Sequence, residues 1–301
     1  MHTVILQSYR NNDIPAWLQR CMQTVKQWAA ANGYHYAFVD DALFDYVPPR
    51  FREPAPSSLL PLTDLARLGL LREKLASGYS RAIWIDADVV IFRPDELQIP
   101  AQVGAMLCHE IWTQRDEHGV VHHAENINNA VMVFERGHPL LDFLHHAAIE
   151  LFTHLKLGRI RTTTIGTDFL TKLGRIYPIR LLTQVACLSP ALAHAISTGA
   201  PSSLLQEHAA RFGHPFHAAN LCRSKHERGT QRSTASPEDS LDASQLLGVV
   251  EKIIAAKGEM LSPMQVGSRP RAAGSFSTLR SSGASFETAG IAALRIICGL
   301  R

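Results

Sequence analysis

No stretch of this chain approaches the roughly 20 consecutive apolar residues that a membrane-spanning helix needs. The opening MHTVILQSYRNND carries neither the basic region nor the cleavage site of a secretory leader. These two absences lead to the expectation of a cytoplasmic protein. CxxC pairs are missing too. The five cysteines, Cys21, Cys108, Cys187, Cys222 and Cys298, are odd in number and far apart, which signals neither a disulfide framework nor a zinc site, so reduced and mostly buried thiols are expected. Charge of one sign is scarce: the net charge is only +3, and no nucleic-acid partner is expected.

The small excess of positive charge is unevenly placed. Residues 223–301 hold 11 Lys/Arg against 7 Asp/Glu, so attraction to an acidic lipid surface or polymer would reside there, and peripheral membrane contact through this basic tail is a further expectation. With 46% hydrophobic and 19% charged residues, the 301-residue chain suits one large α/β domain, or one with an appendage.

Residues 3–8 (TVILQS) form a short apolar run suited to a buried strand. Pro15 then opens a helical stretch that puts Trp17, Cys21, Val25 and Trp28 on one face, and Gly33 ends it. Residues 34–39 (YHYAFV) read as a second strand, so the unit predicts a parallel pair with a right-handed crossover. Five prolines in 45–61 predict an extended surface loop, followed by a helix over 62–77. Further strands are expected at VGAMLC and AVMVF, joined by a polar, His-containing connection within 103–134, with an amphipathic helix over 138–157. Past Asn220 the composition turns to Ser, Arg, Gly and Thr. The expected division is a catalytic domain at 1–226 and a poorly structured, low-complexity basic tail at 227–301 with one helical segment near 241–257.

The strongest signal is RAIWIDADVVIF at 81–92, an apolar run interrupted by two carboxylates. On one strand Asp86 and Asp88 would point to opposite faces, so they can share a ligand only if the strand ends or turns between them. Charges beside IWI and VVIF are costly to bury unpaired. A carboxylate pair at a strand edge suits Mg²⁺ or Mn²⁺, hard cations often shared between protein carboxylates and substrate phosphates.

A hydrophobic strand, Asp-x-Asp and a second hydrophobic strand resemble the DXD motif of GT-A glycosyltransferases, especially bacterial polysaccharide-synthesis and initiating mannosyl- or galactosyltransferase-like enzymes. Thr63-Asp64-Leu65-Ala66-Arg67 is similar to the (S/T)D-x-x-R helix element that those families place before the DXD, and Asn128 to Phe134 followed by Gly137-His138-Pro139 resembles their downstream N-N-a-x-M and G-H-P stretch. The likeness covers about 1–222. It implies a GT-A-like, Rossmann-type mixed sheet flanked by helices, a UDP- or GDP-sugar donor, a saccharide or lipid-linked acceptor, and Mn²⁺ or Mg²⁺ held by Asp86 and Asp88 with His217 as a third ligand.

The resemblance also implies roles for other residues. Gln7, Ser8 and Tyr9 would receive the nucleotide base, Asp64 and Arg67 would contact the donor, and Asn128 or Asn129 would lie near the sugar or acceptor. Asp168, within Ile165-Gly166-Thr167-Asp168, would be a catalytic group on an acceptor-side loop, although Thr167 or Asp168 serves equally as a helix cap. Arg223 and Lys225 are further candidates for the diphosphate. The C-terminal HAANLCRSKH departs from the family's H…S-W ending. Two alternatives stay open: a haloacid-dehalogenase-like phosphatase with Asp86 as nucleophile and Asp88 as acid/base, and a non-catalytic sugar-binding partner of a polysaccharide assembly machine.

Overall fold

The computed structural model describes residues 2–52, 59–116, 118–155, 160, 163–199, 202–226 and 240–263. Strand β1 (Thr3–Ser8) is flanked on both sides, and its pleat sends Val4 and Leu6 into one apolar layer and Ile5 into another. Helix α1 (Ala16–Ala31) buries Trp17, Cys21, Val25 and Trp28. Gly33, at φ +67°, then reverses the chain into β2 (His35–Val39). As expected, β1 and β2 are parallel, with Val4 opposite His35.

The Pro-rich segment is not the extended loop expected over 45–61. Two short 3₁₀ helices occupy Asp41–Tyr46 and Pro49–Phe51, and helix α2 (Leu59–Ala76) takes in Pro61. Proline is tolerated in a first helical turn, where the missing N–H has no intrahelical partner to lose. Residues 53–58 of the expected loop lie outside the described residues.

Strand β3 (Arg81–Ile85) ends before the carboxylate pair, and β4 (Val89–Ile91) begins after it in a different sheet. Strands β5 (Ala105–Arg115) and β6 (Val121–Glu135) form a long antiparallel hairpin. The polar connection expected inside 103–134 is thus itself mostly strand, because Cys108 to Arg115 pair with Val121 to Asn128 across the ladder. Helices α3 (Pro139–His154) and α4 (Thr167–Gly174), strands β7 (Arg180–Leu182) and β8 (Val185–Cys187), helices α5 (Pro190–Thr198) and α6 (Ser203–Phe212), strand β9 (Ala218–Asn220) and helix α7 (Ala243–Ala255) complete the described elements.

The larger sheet has the order β2-β1-β3-β6-β5-β7 and the smaller one β4-β9-β8; both mix parallel and antiparallel neighbours. Helices α2, α3 and α4 cover one face of the larger sheet, while α1, α5, α6 and α7 share a second core with the smaller sheet. This is a mixed α/β fold with a central mixed sheet flanked by helices. Among the described residues no helix is long and apolar enough to cross a membrane.

The helical segment expected near 241–257 is α7. Asp242 and Gln245 form a capping box, and Leu246, Val249, Val250 and Ile253 are buried against α1 and α5. Arg20 of α1 meets Glu251 at 2.9 Å. Gly258 follows at φ +69°, where a Cβ would stand 2.1 Å from the ring of Phe92. The remainder of the expected tail, 227–239 and 264–301, lies outside the described residues.

His208 of α6 is fully buried between the rings of Phe212 and Phe216, with Nδ1 2.9 Å from Thr113 Oγ1 and Nε2 without a partner among the described residues. Burial, with a smaller contribution from His123, pushes it down to about 4 from the ordinary 6.5. Below pH 6.5 the unfolded chain therefore takes a proton that the folded chain refuses, so stability falls as pH drops toward 4, by about 3 kcal/mol in full. His208→Phe is expected to remove that share. Urea midpoints measured from pH 7 to pH 4.5 should fall less steeply in the variant, and parallel curves would refute the assignment.

Candidate functional site

The two sheets meet at the turn between β3 and β4. Val89 N–H donates to the Asp86 carbonyl at 3.1 Å, closing a tight turn across Asp86, Ala87 and Asp88. Asp86 N–H donates to the Ala130 carbonyl at 2.8 Å, and Leu221 N–H donates to the Asp88 carbonyl at 3.1 Å. One carboxylate is thereby tied to the larger sheet and the other to the chain leaving β9. The strand breaks between them, as the spacing required, and both face a cavity of about 610 Å³.

Asp86 is gripped from two directions. Trp84 Nε1 donates to its Oδ1 at 2.7 Å, and Arg67 Nη1 reaches the same oxygen at 3.1 Å. Arg67 also donates to the Asn129 carbonyl at 3.2 Å, approaches Asp64 at 3.5 Å and lies 5.0 Å over the Trp84 ring. Asn129 Nδ2 closes the group by donating to Asp64 Oδ1 at 2.8 Å. Asp64 and Arg67 are one helical turn apart on α2 and both buried, which takes them out of the class of solvated surface pairs.

Burial pushes Asp64 up to about 6, against the lowering effects of Arg67 and Asn129. It also raises Asp86, opposed by Arg67 and Trp84. Asp88 is pushed up to about 6 by burial and then by the neighbouring charge of Asp86, although the Arg223 backbone N–H donates to its Oδ2 at 2.7 Å. Among the described residues no hydrogen bond or ion pair from another residue reaches Asp86 Oδ2 or Asp88 Oδ1. Asp64 and Asp86 thus share one buried guanidinium while Asp88 stands beside Asp86, an arrangement that favours a positively charged guest.

A break in register makes room for this. The ladder between β5 and β6 pairs Leu107 with Met132 and then Cys108 with Asn128, so residues 129–131 bulge out of it. The bulge swings Asn129 toward α2 and leaves Asn128 donating to Glu110 Oε2 at 2.8 Å. Gly166, just before α4, approaches the same place: a Cβ there would stand 3.1 Å from Asp64 Oδ2 and 3.4 Å from the Asn129 amide. Neither Thr167 nor Asp168 caps α4, whose N-cap is Gly166 without a side-chain bond. Asp168 instead accepts from Thr163 Oγ1 at 2.8 Å at the cavity wall.

At the end of β1, Ser8 and Tyr9 line the cavity. Arg223 Nη1 donates to Tyr9 Oη at 2.9 Å, with the guanidinium 5.1 Å over the ring. Gln7 is fully buried and is not part of the lining; its Nε2 donates to the Asp86 carbonyl at 3.1 Å, while Tyr36 Oη donates to its Oε1. It therefore braces the turn from behind. His217 stands apart from the carboxylates, at the far end of β9 beside Phe92 and Arg93, with Nε2 3.6 Å from Glu96 Oε2, and it does not line the cavity. The reason is register: Asn220, three residues on, is the one opposite Val89. Among the described residues no group of three or more His, Cys, Asp or Glu is arranged to hold a metal ion.

Sequence reasoning passed over Glu110 and Trp112, which both line the cavity. Glu110 accepts from the amides of Asn126 and Asn128 at 2.8 Å each, and Lys225 Nζ lies 5.7 Å over the Trp112 ring. A charged residue inside the apolar run AMLCHEIW was the available signal.

No protein-family model matches the chain, and no curated protein matches it in sequence. Among solved structures it is similar to a glycosyltransferase involved in glycosylation of the major capsid of PBCV-1, at 9% identity over 82% of this chain and 98% of that one, with a TM-score of 0.44. Mouse xyloside xylosyltransferase 1 is similar at 13% identity over 74% of this chain and 98% of that one, with a TM-score of 0.36. A Drosophila galactosyltransferase complexed with manganese, UDP-Gal and xylobiose is similar at 12% identity over 48% and 52%, with a TM-score of 0.28. Residue roles in this chain rest on its own geometry.

Proposed function

We propose that this chain is a glycosyltransferase that moves a sugar from a nucleoside-diphosphate donor, UDP- or GDP-linked, to a hydroxyl of a saccharide or lipid-linked acceptor, in the class of reactions that build polysaccharides. The observation that carries this reading is the turn that brings Asp86 and Asp88 to one cavity, each with an oxygen that no other described residue reaches.

Mn²⁺ or Mg²⁺ fits that donor set. Both ions prefer oxygen ligands; burial raises both carboxylates and the charge of Asp86 raises Asp88 further, which a cation would relieve. Asp86 and Asp88 would hold the ion, which when bound would offset the charge developing on a departing diphosphate. Arg67 and Trp84 fix Asp86 Oδ1 and so orient the pair before any ligand arrives. Arg223 and Lys225, at the cavity rim, would meet the diphosphate's remaining charge. Tyr9 would lie against the base, and Asp64 and Asn129 would receive sugar hydroxyls. Asp168 would act from the acceptor side. His217 is not carried forward as a ligand, given its place beside Glu96.

The families that the sequence resembles are largely retaining, which would mean front-face attack by the acceptor hydroxyl with retention at the anomeric carbon, and an inverted product would remove that part of the reading. The binding proposal is tested by calorimetric titration of UDP and GDP with and without Mn²⁺, on the natural chain and on Asp88→Ala. Metal-dependent binding to one nucleotide, weakened about 100-fold in the variant, is expected. Absence of binding to either would overturn the donor-site reading.

A further inference from the structure

Two cysteines beside the cavity take no part in the donor site as described. Cys187 lies in β8 opposite Asn220 of β9. Cys222 follows Asn220 by two residues in a left-handed conformation, φ +51° and ψ 50°, which residues other than glycine seldom adopt. Its backbone N–H donates to Asn220 Oδ1 at 2.8 Å, which holds the turn. That conformation folds the Cys222 sulfur back over β9 to 3.3 Å from Cys187 Sγ. A disulfide spans about 2.05 Å, so little more than an ångström separates the two thiols from a bond. Cys108, the third thiol of this region, instead directs its sulfur toward the His109 carbonyl at 3.7 Å.

We propose that Cys187 and Cys222 form a reversible disulfide, and that this bond displaces the 222–225 turn from Asp88 and weakens the donor site. Cys222 borders the cavity whereas Cys187 is buried, so a small disulfide enters at Cys222. The Cys222 sulfur attacks one sulfur of the small disulfide, forming a mixed disulfide and releasing one thiolate. The Cys187 sulfur then attacks the Cys222 sulfur, forming the protein bond and releasing the second thiolate. The cysteine pair loses two electrons, the small disulfide gains them, and the two cysteine protons end on the released thiols. Glu110 Oε2, which accepts from Cys187 Sγ at 3.5 Å, is placed to relay the second proton. The hydrogen bond to Cys222 and burial push the Cys187 thiol up; at Cys222 the hydrogen bond with Cys187 lowers, but burial together with the charges of Glu110 and Asp88 leaves the thiol raised, so neither sulfur is a strong nucleophile at rest and oxidation is slow.

The consequence for the cavity follows from sequence adjacency. Arg223, directly after Cys222, supplies the N–H on Asp88 Oδ2 at 2.7 Å and the guanidinium on Tyr9. Drawing Cys222 toward β8 pulls on both contacts. This coupling rests on the donor-site reading above; the thiol chemistry does not.

The test uses the full chain exposed to oxidised glutathione, followed by intact mass and a peptide map under non-reducing conditions. The expected product lacks two hydrogens, joins the peptides of Cys187 and Cys222, reverts with dithiothreitol and fails to form in Cys187→Ala. Glutathione retained on Cys222, or a bridge mapped to any other cysteine, would overturn the pairing. The bridged protein is then titrated with UDP and GDP in Mn²⁺, and binding weaker by about tenfold or more is expected, restored on reduction. Unchanged binding by the bridged protein would overturn the coupling, whereas failure of the reduced protein to bind either nucleotide would defeat the donor-site reading and leave the mass result standing.

Discussion

Asp88→Asn is expected to lower kcat about 10³-fold while leaving the protein as stable as before or more so. The asparagine keeps the shape and one oxygen, which can still accept from the Arg223 N–H that now meets Asp88 Oδ2 at 2.7 Å. It removes the negative charge that burial and Asp86 disfavour in the folded chain. Folding therefore loses nothing by the change, while catalysis loses the charge that would hold a cation at the departing diphosphate, an electrostatic contribution of the size seen when one preorganised transition-state contact is deleted. The decisive pair of measurements is initial rate and thermal midpoint on the same preparation. A fall in rate with an unchanged or raised Tm supports a ligand-holding role, and an unchanged rate would sink it.

The second large effect is structural. Arg67→Met is expected to destabilise the fold by about 3–5 kcal/mol, the range for removing one partner of a buried ion pair. The guanidinium is the shared partner of Asp86 at 3.1 Å and Asp64 at 3.5 Å, with side chains of Arg67 and Asp64 each only 9% exposed and that of Asp86 24%, so solvent replaces it only in part. Methionine fills much of the volume over Trp84 but leaves both carboxylates uncompensated. Adding Asp64→Asn should recover part of the loss, since a neutral amide needs no counter-charge. Urea unfolding of the single and double variants measures this directly, and a cost under about 1 kcal/mol for Arg67→Met would mean that water reaches the carboxylates far more freely than the packing indicates.

These two pairs, Asp86 with Asp88 and Asp64 with Arg67, were both legible in the sequence, and for different reasons. Asp86 and Asp88 stood out because charge inside an apolar strand is expensive, so the break between them followed from the alternation of side chains. Asp64 and Arg67 depended on their order relative to the carboxylate pair, since their spacing alone fits a surface pair equally well. The first crossover unit was readable from helical periodicity and a terminating glycine. The smaller sheet was not: β4, β8 and β9 are three residues each, VVI, VAC and AAN, too short to show a period. The same blindness misled the reading of His217, whose distance from Asp88 is a matter of register between two such strands. Likewise, the bulge at 129–131 that turns Asn129 toward α2 has no signature in residue types, because it arises from how the long hairpin meets β3. Glu110 was hidden by its company, a lone acid in an otherwise apolar strand whose partners, Asn126 and Asn128, lie on the other arm of the hairpin.

The clasp of α7 on α1 has a bearing on how the chain acquires its shape during synthesis. Helix α1 emerges from the ribosome well before α7, and part of its apolar surface, including Trp17, Cys21 and Met22, belongs to the core that α7 later completes. More than 200 residues separate the two helices in the chain. Until α7 arrives, that surface waits uncovered, and the stretch that carries Arg223 is itself made only shortly before. The nascent chain can therefore build its larger sheet first, but it gains its closing layer and the wall of its cavity only once the segment from Arg223 to α7 has been made, and until then a holding chaperone would find most to bind.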